Sequence, residues 1–228
     1  MCYSRRVNSP LTGKLRDLAP ALSALPLFPL TSVLFPGALL PLHIFEPRYQ
    51  EMVRDALETH HTLSVVMVTD QSITDAHGHP QIASIAGIGT IIDYAELPSG
   101  RFNILIRGRA RVRLQELPFG EKAYRRARGT IIDPLAGEVP STDLSALISA
   151  ATAFASRVRE RDPSFEFGLP KDAPAGLIAD LCAHHLVLDA RERQAILETL
   201  DTADRVRKVA GSLALQRLTL SHDPMDIN

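Results

Sequence analysis

Cysteine is almost missing from this sequence: Cys2 and Cys182 are the only two, far apart in the chain. They cannot build a disulfide framework or a Cys-rich zinc site, and a reducing compartment suits them. An excess of charge of one sign is lacking too. Lys+Arg number 25 against Asp+Glu 26, a formal net charge of -1, which removes the electrostatic footprint of a protein whose main task is gripping nucleic acid. No apolar run approaches the roughly 18 residues of a membrane-spanning helix. The basic first segment carries Lys14, Arg16 and Asp17 where a leader peptide needs an apolar core. These absences lead to the expectation of a soluble, cytoplasmic protein that uses no membrane.

Catalytic signatures are missing as well. There is no GxxxxGKS or GxxxxGKT phosphate loop, no HExxH and no GxSxG elbow. Asp70, Asp75, Asp93 and Glu96 are scattered, and nothing pairs carboxylates for acid–base work. Triads are assembled in space, so a hydrolase without a motif would have to declare itself as a deep polar cleft. Eight histidines raise the question of a metal. His60-His61 and His184-His185 are adjacent, and neighbours on a helix point about 100 degrees apart. His77 and His79, in a polar stretch, are the best ligand pair, but no carboxylate or cysteine stands at ligand spacing beside them. We expect no metal and no cofactor, and read His43 as a half-buried strand residue.

What is present is an ordinary globular chain. With 228 residues, 45% hydrophobic and 22% charged, it can bury a core and is not a disordered polymer. Residues 1–24 are unpatterned and read as a weakly structured tail with one helical turn near Leu15–Leu18. From Leu25 short apolar runs alternate with prolines: LPLFPL (25–30), SVLFPG (32–37) and LLPLHIF (39–45). Proline donates no hydrogen bond, so these predict short edge strands joined by turns. Pro47 opens a helix over 47–59, with Tyr49, Met52, Val53, Ala56 and Leu57 on its buried face.

Strand signals follow at 63–68, 87–97, 101–108, 110–117 and 124–132, with a hairpin turn at Pro98–Gly100 and a long exposed loop at 70–86. Such a run closes naturally as a barrel or curled sheet. After Pro134 the period changes from two to 3.6. Leu144, Leu147, Ile148, Ala151, Ala155 and Val158 form one stripe; Leu177, Ile178, Leu181 and Cys182 form another. Asp189 with Glu192 is a capping-box start for a third helix, and Asp201 with Asp204 re-initiates a last one. The class is α+β. The expected division is a β-rich part over 25–135, a helical part over 136–220, and a C-terminal tail at 221–228.

The strings LPLFPL (25–30), VLFPG (33–37) and LPLHIFEPRY (40–49) carry a resemblance. They are similar, nearly residue for residue, to the opening of the substrate-binding N-terminal domain of Lon-type ATP-dependent proteases. The likeness continues through GIGT (87–90), RFNILIRG (101–108), RARV (109–112), ERQAILE (192–198) and Asp201 to Arg205. It covers about Leu25 to Leu220. The chain resembles a free-standing version of that domain, without the ATPase and protease modules. One segment, PKDAPAG (170–176), is superficially similar to the Lon nucleophile segment, but Pro174 stands where that segment has its serine. It offers no hydroxyl for peptide-bond attack and reads as a loop that starts a helix.

The resemblance implies a β-rich, PUA-like pseudobarrel followed by a helical bundle, and a non-catalytic module that binds unfolded or extended polypeptide for a protease or chaperone system. Leu34, Phe35, Pro36, Leu39, Arg48 and Tyr49 are the expected peptide-contact residues. A homodimer stays open. The alternative is RNA binding. On a continuous strand, period two puts Arg107, Arg109, Arg111 and Arg113 on one face, and Arg125, Arg126 and Arg128 could extend it. Against it stand the few nearby aromatics, Phe102 and Tyr124, and the neutral net charge. A solvated face with salt bridges to residues such as Glu96 and Glu116 explains the same arginines. Nucleic acid is the disfavoured partner.

Overall fold

The computed structural model describes residues 15–135 and 137–221. The chain divides into two compact units at Asp133/Pro134. A 3₁₀ helix at Leu15–Ala21 comes first. Its Leu18 and Ala21 are buried, so residues 15–24 belong to the fold and are not the loose tail expected. The rest of that tail, and the segment 222–228, lie outside the described residues.

The first unit contains β1 (Leu25–Leu30), β2 (Leu39–Ile44), α1 (Pro47–Glu58), β3 (Thr62–Thr74), β4 (Pro80–Ile82), β5 (Ile85–Glu96), β6 (Phe102–Glu116) and β7 (Arg126–Ile132). The order β1-β7-β6-β5-β3 closes on itself because β1 also pairs with β3, in parallel. β4 adds to β3, and β2 lies beside β6. The result is a β-rich closed barrel, as the family resemblance implied.

Three strand expectations change. β1 is no edge strand, since it has neighbours on both sides despite Pro26 and Pro29. Leu27 donates to Arg125 O on the β7 side at 2.9 Å, so by period two Pro29 faces the same way, beyond the end of β7. Pro26 faces β3 ahead of the first registered pair, Leu27 with Ser64. Each proline therefore misses the ladder that needs its N–H. The run 32–37 is not a strand. The expected loop at 70–86 is largely hairpin, with β3 running to Thr74 and turning through Asp75–His79 into β4. The polar turn residues were read correctly, but strands flank them closely.

α1 begins as its proline suggests, with Pro47 in its first turn and the Gln50 amide donating to Phe45 O at 2.9 Å. Its face of Tyr49, Met52, Val53 and Ala56 enters the barrel core beside Phe28, Leu34, Ile44, Leu63 and Ile106.

The second unit contains α2 (Ser141–Arg161), α3 (Ala175–Leu186), α4 (Ala190–Leu197) and α5 (Thr202–Ser221). α5 packs on α2 and α3. The α2 stripe is rotated from expectation: Leu147, Ala151, Phe154 and Ala155 are buried, while Ile148 is exposed. The N-cap half of the expected capping box is present, the Asp189 carboxylate accepting from Glu192 N at 2.7 Å, while the Glu192 carboxylate accepts from the Ser212 hydroxyl. The segment before Leu177 does lead into a helix, which starts at Ala175.

Candidate functional site

The motif LPLHIFEPRY spans a strand, its exit and a helix start. On β2, Leu40 and Leu42 are half-buried and Ile44 is buried, so Leu39, Pro41 and His43 face outward. Phe45 follows, 62% exposed. This strand hydrogen-bonds to β6 and, among the described strands, to no second neighbour. Its outer face continues across the ladder: Leu39 stands opposite Arg107, Pro41 opposite Leu105 and His43 opposite Asn103. The His43 ring bonds Asn103 Oδ1 at 2.7 Å and stacks beside Phe45, with 6.2 Å between ring centroids. The outcome is an exposed apolar row of Leu39, Pro41 and Phe45 on the outer face of β2 and just past its end. Exposed apolar patches of this kind mark protein-contact surfaces.

The expected contact residues separate. Leu39 is 40% exposed, Arg48 is exposed and Pro36 half-buried. Leu34 and Phe35 have 0% exposure and cannot touch a partner; they are corrected to core. The reason lies in the glycines of β5 and β6. A Cβ on Gly87 would stand 1.9 Å from Leu34 O, and one on Gly108 would stand 2.0 Å from Phe35 O. The bare backbone at these two positions lets the 33–38 segment lie directly on the sheet. Reciprocal bonds of 2.9 Å join Gly37 N to Gly108 O and Gly108 N to Ala38 O. Tyr49 is also buried, its ring 4.5 Å from that of Phe28, and burial raises its pKa. Phe45, which the sequence reading left out of the contact set, is exposed. The period of two through 39–45 would have placed it outside.

The arginine strip does not survive as one face. β6 is a single strand, but Gly108 pairs with Gly89 and Ala110 with Ile88, leaving Arg109 as an extra, bulged residue. A bulge reverses the alternation beyond it. Arg111 therefore shares the side of its register partner Gly87, which the Leu34 segment covers, and is only 2% exposed. Arg107 and Arg109 are half-buried, Arg109 donating to Thr90 Oγ1 at 3.3 Å, and Arg113 is exposed. Arg125 is held by Glu116 at 2.7 Å, an ion pair of the kind anticipated.

His77 and His79 occupy the β3–β4 turn, their rings 5.0 and 4.6 Å from that of Phe119. Asp75 organises this turn. Its Oδ1 accepts from His77 N at 2.8 Å and His79 N at 2.9 Å, and its Oδ2 lies 3.2 Å from His79 Nδ1. The His79 backbone bond does most to hold the Asp75 carboxyl down at about 2. Among the described residues no group of three or more His, Cys, Asp or Glu is placed to hold a metal.

Beyond the end of β2, a cavity of about 130 Å³ is lined by Pro29, Glu46, Arg48, Tyr49, Val68, His79, Pro80, Ala123, Tyr124 and Arg125. Tyr124 is fixed by its hydroxyl, which donates to Asp55 Oδ2 at 2.6 Å; Lys122 Nζ lies 2.6 Å from the same oxygen. Burial, and then the bond to Asp55, push the Tyr124 pKa upward. Desolvation works against the Asp55 carboxylate, but the bonds from Lys122 and Tyr124 outweigh it and its pKa falls. Arg48 and Tyr49, two of the expected contact residues, line it from within the LPLHIFEPRY motif, but no spacing in the sequence marked the cavity itself.

The described residues form a closed β-barrel unit and a helical unit of α2 to α5, which is the α+β class expected. The model of the ATP-dependent protease La (Lon) substrate-binding domain matches residues 24–214, and the chain belongs to that family. It is 31% identical over 203 residues to a Lon protease of Roseiflexus castenholzii, covering 86% of this chain and 25% of that protein. Lon protease 2 of Myxococcus xanthus is 27% identical over 199 residues, with 85% and 24% covered. The chain thus spans about a quarter of the length of these relatives. Among solved structures, a Lon N-terminal domain protein from Xanthomonas campestris superposes with a TM-score of 0.58 at 25% identity, covering 89% of this chain and 99% of that one. The N-terminal domain of a Mycobacterium avium complex Lon protease gives 0.59 at 14% identity, a likeness of fold alone.

Proposed function

We propose that this chain is a non-catalytic polypeptide-recognition module that binds unfolded or extended segments of other proteins. The observation that carries this reading is the exposed row of Leu39 and Pro41 on β2 and Phe45 just past its end, on a strand that pairs with β6 alone among the described strands. An extended segment laid beside β2 gains backbone hydrogen bonds with little sequence preference, and the apolar row adds affinity through desolvation. Leu39, Pro36 and Arg48 remain contact residues from the sequence reading, and Pro41 and Phe45 join them. The family's substrate-binding role and the relatives' identity as Lon proteases support a place beside a protease system; the scarcity of cysteine is the support for a reducing, cytoplasmic setting.

The test is a titration against a fluorescent, permanently unfolded polypeptide, with its folded form and a single-stranded RNA as controls, at low and moderate salt. The expected result is preference for the unfolded chain that persists as salt rises, weakened about tenfold by Phe45→Ser with Leu39→Ser. Equal affinity for the folded and unfolded forms would falsify the reading. Salt-sensitive binding to the RNA alone would do the same.

A further inference from the structure

We infer that the cavity beside α1 is an anchor pocket for one uncharged apolar side chain, leucine- or phenylalanine-sized, of a bound polypeptide; this rests on the polypeptide-binding reading above. Size is the first argument. At about 130 Å³ the cavity is close to the engineered apolar cavity of about 150 Å³ that holds a benzene molecule. A methyl group would leave most of it empty, and an indole would overfill it.

Chemistry is the second argument. Pro29, Val68, Pro80 and Ala123, with the rings of Tyr49 and Tyr124, contribute apolar wall. Every basic side chain lining the cavity already faces a carboxylate. Arg48 Nη2 lies 2.7 Å from Glu46 Oε2, Arg125 Nη2 lies 2.7 Å from Glu116 Oε2, and His79 Nδ1 lies 3.2 Å from Asp75 Oδ2. These paired charges leave nothing to draw an acidic side chain inward and nothing to neutralise a basic one.

Rigidity is the third. Tyr124 is tied to Asp55 on α1, and Arg125 Nη1 donates to Pro80 O at 2.7 Å, joining the loop before β7 to β4. A pocket whose walls are held in place before binding loses less freedom when it fills. Its position is the fourth. The chain leaves β2 through Phe45 and lines the cavity from Glu46 onward, so the pocket lies just beyond the end of the apolar row.

The experiment is an NMR titration of the intact chain with N-acetyl-leucinamide, N-acetyl-phenylalaninamide and N-acetyl-glutamate, run beside unfolded-polypeptide binding by Ala123→Phe. Ala123 is exposed, so the new ring fills the cavity without entering the core; Ala123→Glu, which puts a charge there, is the second variant. The expected result is saturable shifts at Ala123, Tyr124 and Val68 with the two apolar amides and none with the glutamate. Both variants abolish those shifts and weaken polypeptide binding about tenfold or more. Unchanged polypeptide affinity in both variants overturns the pocket and leaves the β2 reading standing. Loss of polypeptide binding from the unaltered protein, with the amide shifts intact, overturns the polypeptide reading and leaves a pocket for small apolar groups. Shifts with the glutamate equal to those with leucinamide overturn the apolar assignment.

Discussion

The carbonyl oxygen of Leu34 lies 1.9 Å from the place a Cβ on Gly87 would occupy. That separation is far inside van der Waals contact, and the obstacle is backbone rather than the end of a flexible side chain. Gly87→Ala must therefore lift the 33–38 segment off the sheet. The expected loss is about 1–3 kcal/mol of unfolding free energy, read from the urea midpoint. A wild-type midpoint would show that the segment shifts at no cost.

Phe35 and Phe45 belong to one family-like stretch and have opposite surroundings. Phe35 is fully buried and Phe45 is 62% exposed. Phe35→Ala is expected to cost about 3–5 kcal/mol, whereas Phe45→Ala stays within about 0.5 kcal/mol of the parent. Thermal melts of the two variants make the comparison.

In the helical unit Arg205 Nε lies 3.1 Å from Asp180 Oδ1, both side chains almost fully buried. The same guanidinium donates to Thr199 O at 2.8 Å and Leu200 O at 3.3 Å. Arg205→Met strands a buried carboxylate and is expected to cost about 3–5 kcal/mol. The double variant Asp180→Leu/Arg205→Met removes both charges and recovers part of that loss. If it is as unstable as the single one, the carbonyl bonds rather than the ion pair dominate.

Asp189→Ala removes the side chain that receives Glu192 N. A lost N-cap of this kind costs about 1 kcal/mol. Faster amide exchange should begin in the first turn of α4 and leave the barrel amides unchanged.

The Asp75 carboxyl is depressed from 3.8 to about 2, chiefly by the His79 N–H and further by the His77 N–H. A lowered folded-state value means that its stabilising effect is complete above pH 3.8 and disappears as pH falls through about 2. The β3–β4 turn is therefore expected to loosen over that acidic window, with the His77 and His79 amide resonances moving together. Asp75→Asn should abolish this transition. An unchanged transition in that variant would assign it to another group.

Much of the fold was legible because it depends on local pattern. Pro47, the spacing of Tyr49 to Ala56, the Asp189–Glu192 pair and the Pro98–Gly100 turn each act over a few residues, and each appears where the pattern put it. The β1 prolines misled because their harm depends on which neighbour each N–H would meet, which is a matter of ladder ends. The outer row of β2 was half legible. Its period of two places Leu39, Pro41 and Phe45 outside, but nothing local told the exposed Phe45 from the buried Leu34 and Phe35, which the sequence reading put among the contact residues.

By itself the sequence determined the α+β class, the kinds and order of most elements, and the family, because periodicity, capping and motif strings are carried by neighbouring residues. Tertiary structure alone decided which motif residues are accessible. Leu34 and Phe35 became core because two glycines distant in the chain admit their backbone. Arg111 turned inward because a bulge at Arg109 reversed the alternation of β6. The cavity beside α1 exists only where β1, β3, β4, α1 and the loop before β7 converge. Burial is a property of such convergence, and no single segment encodes it.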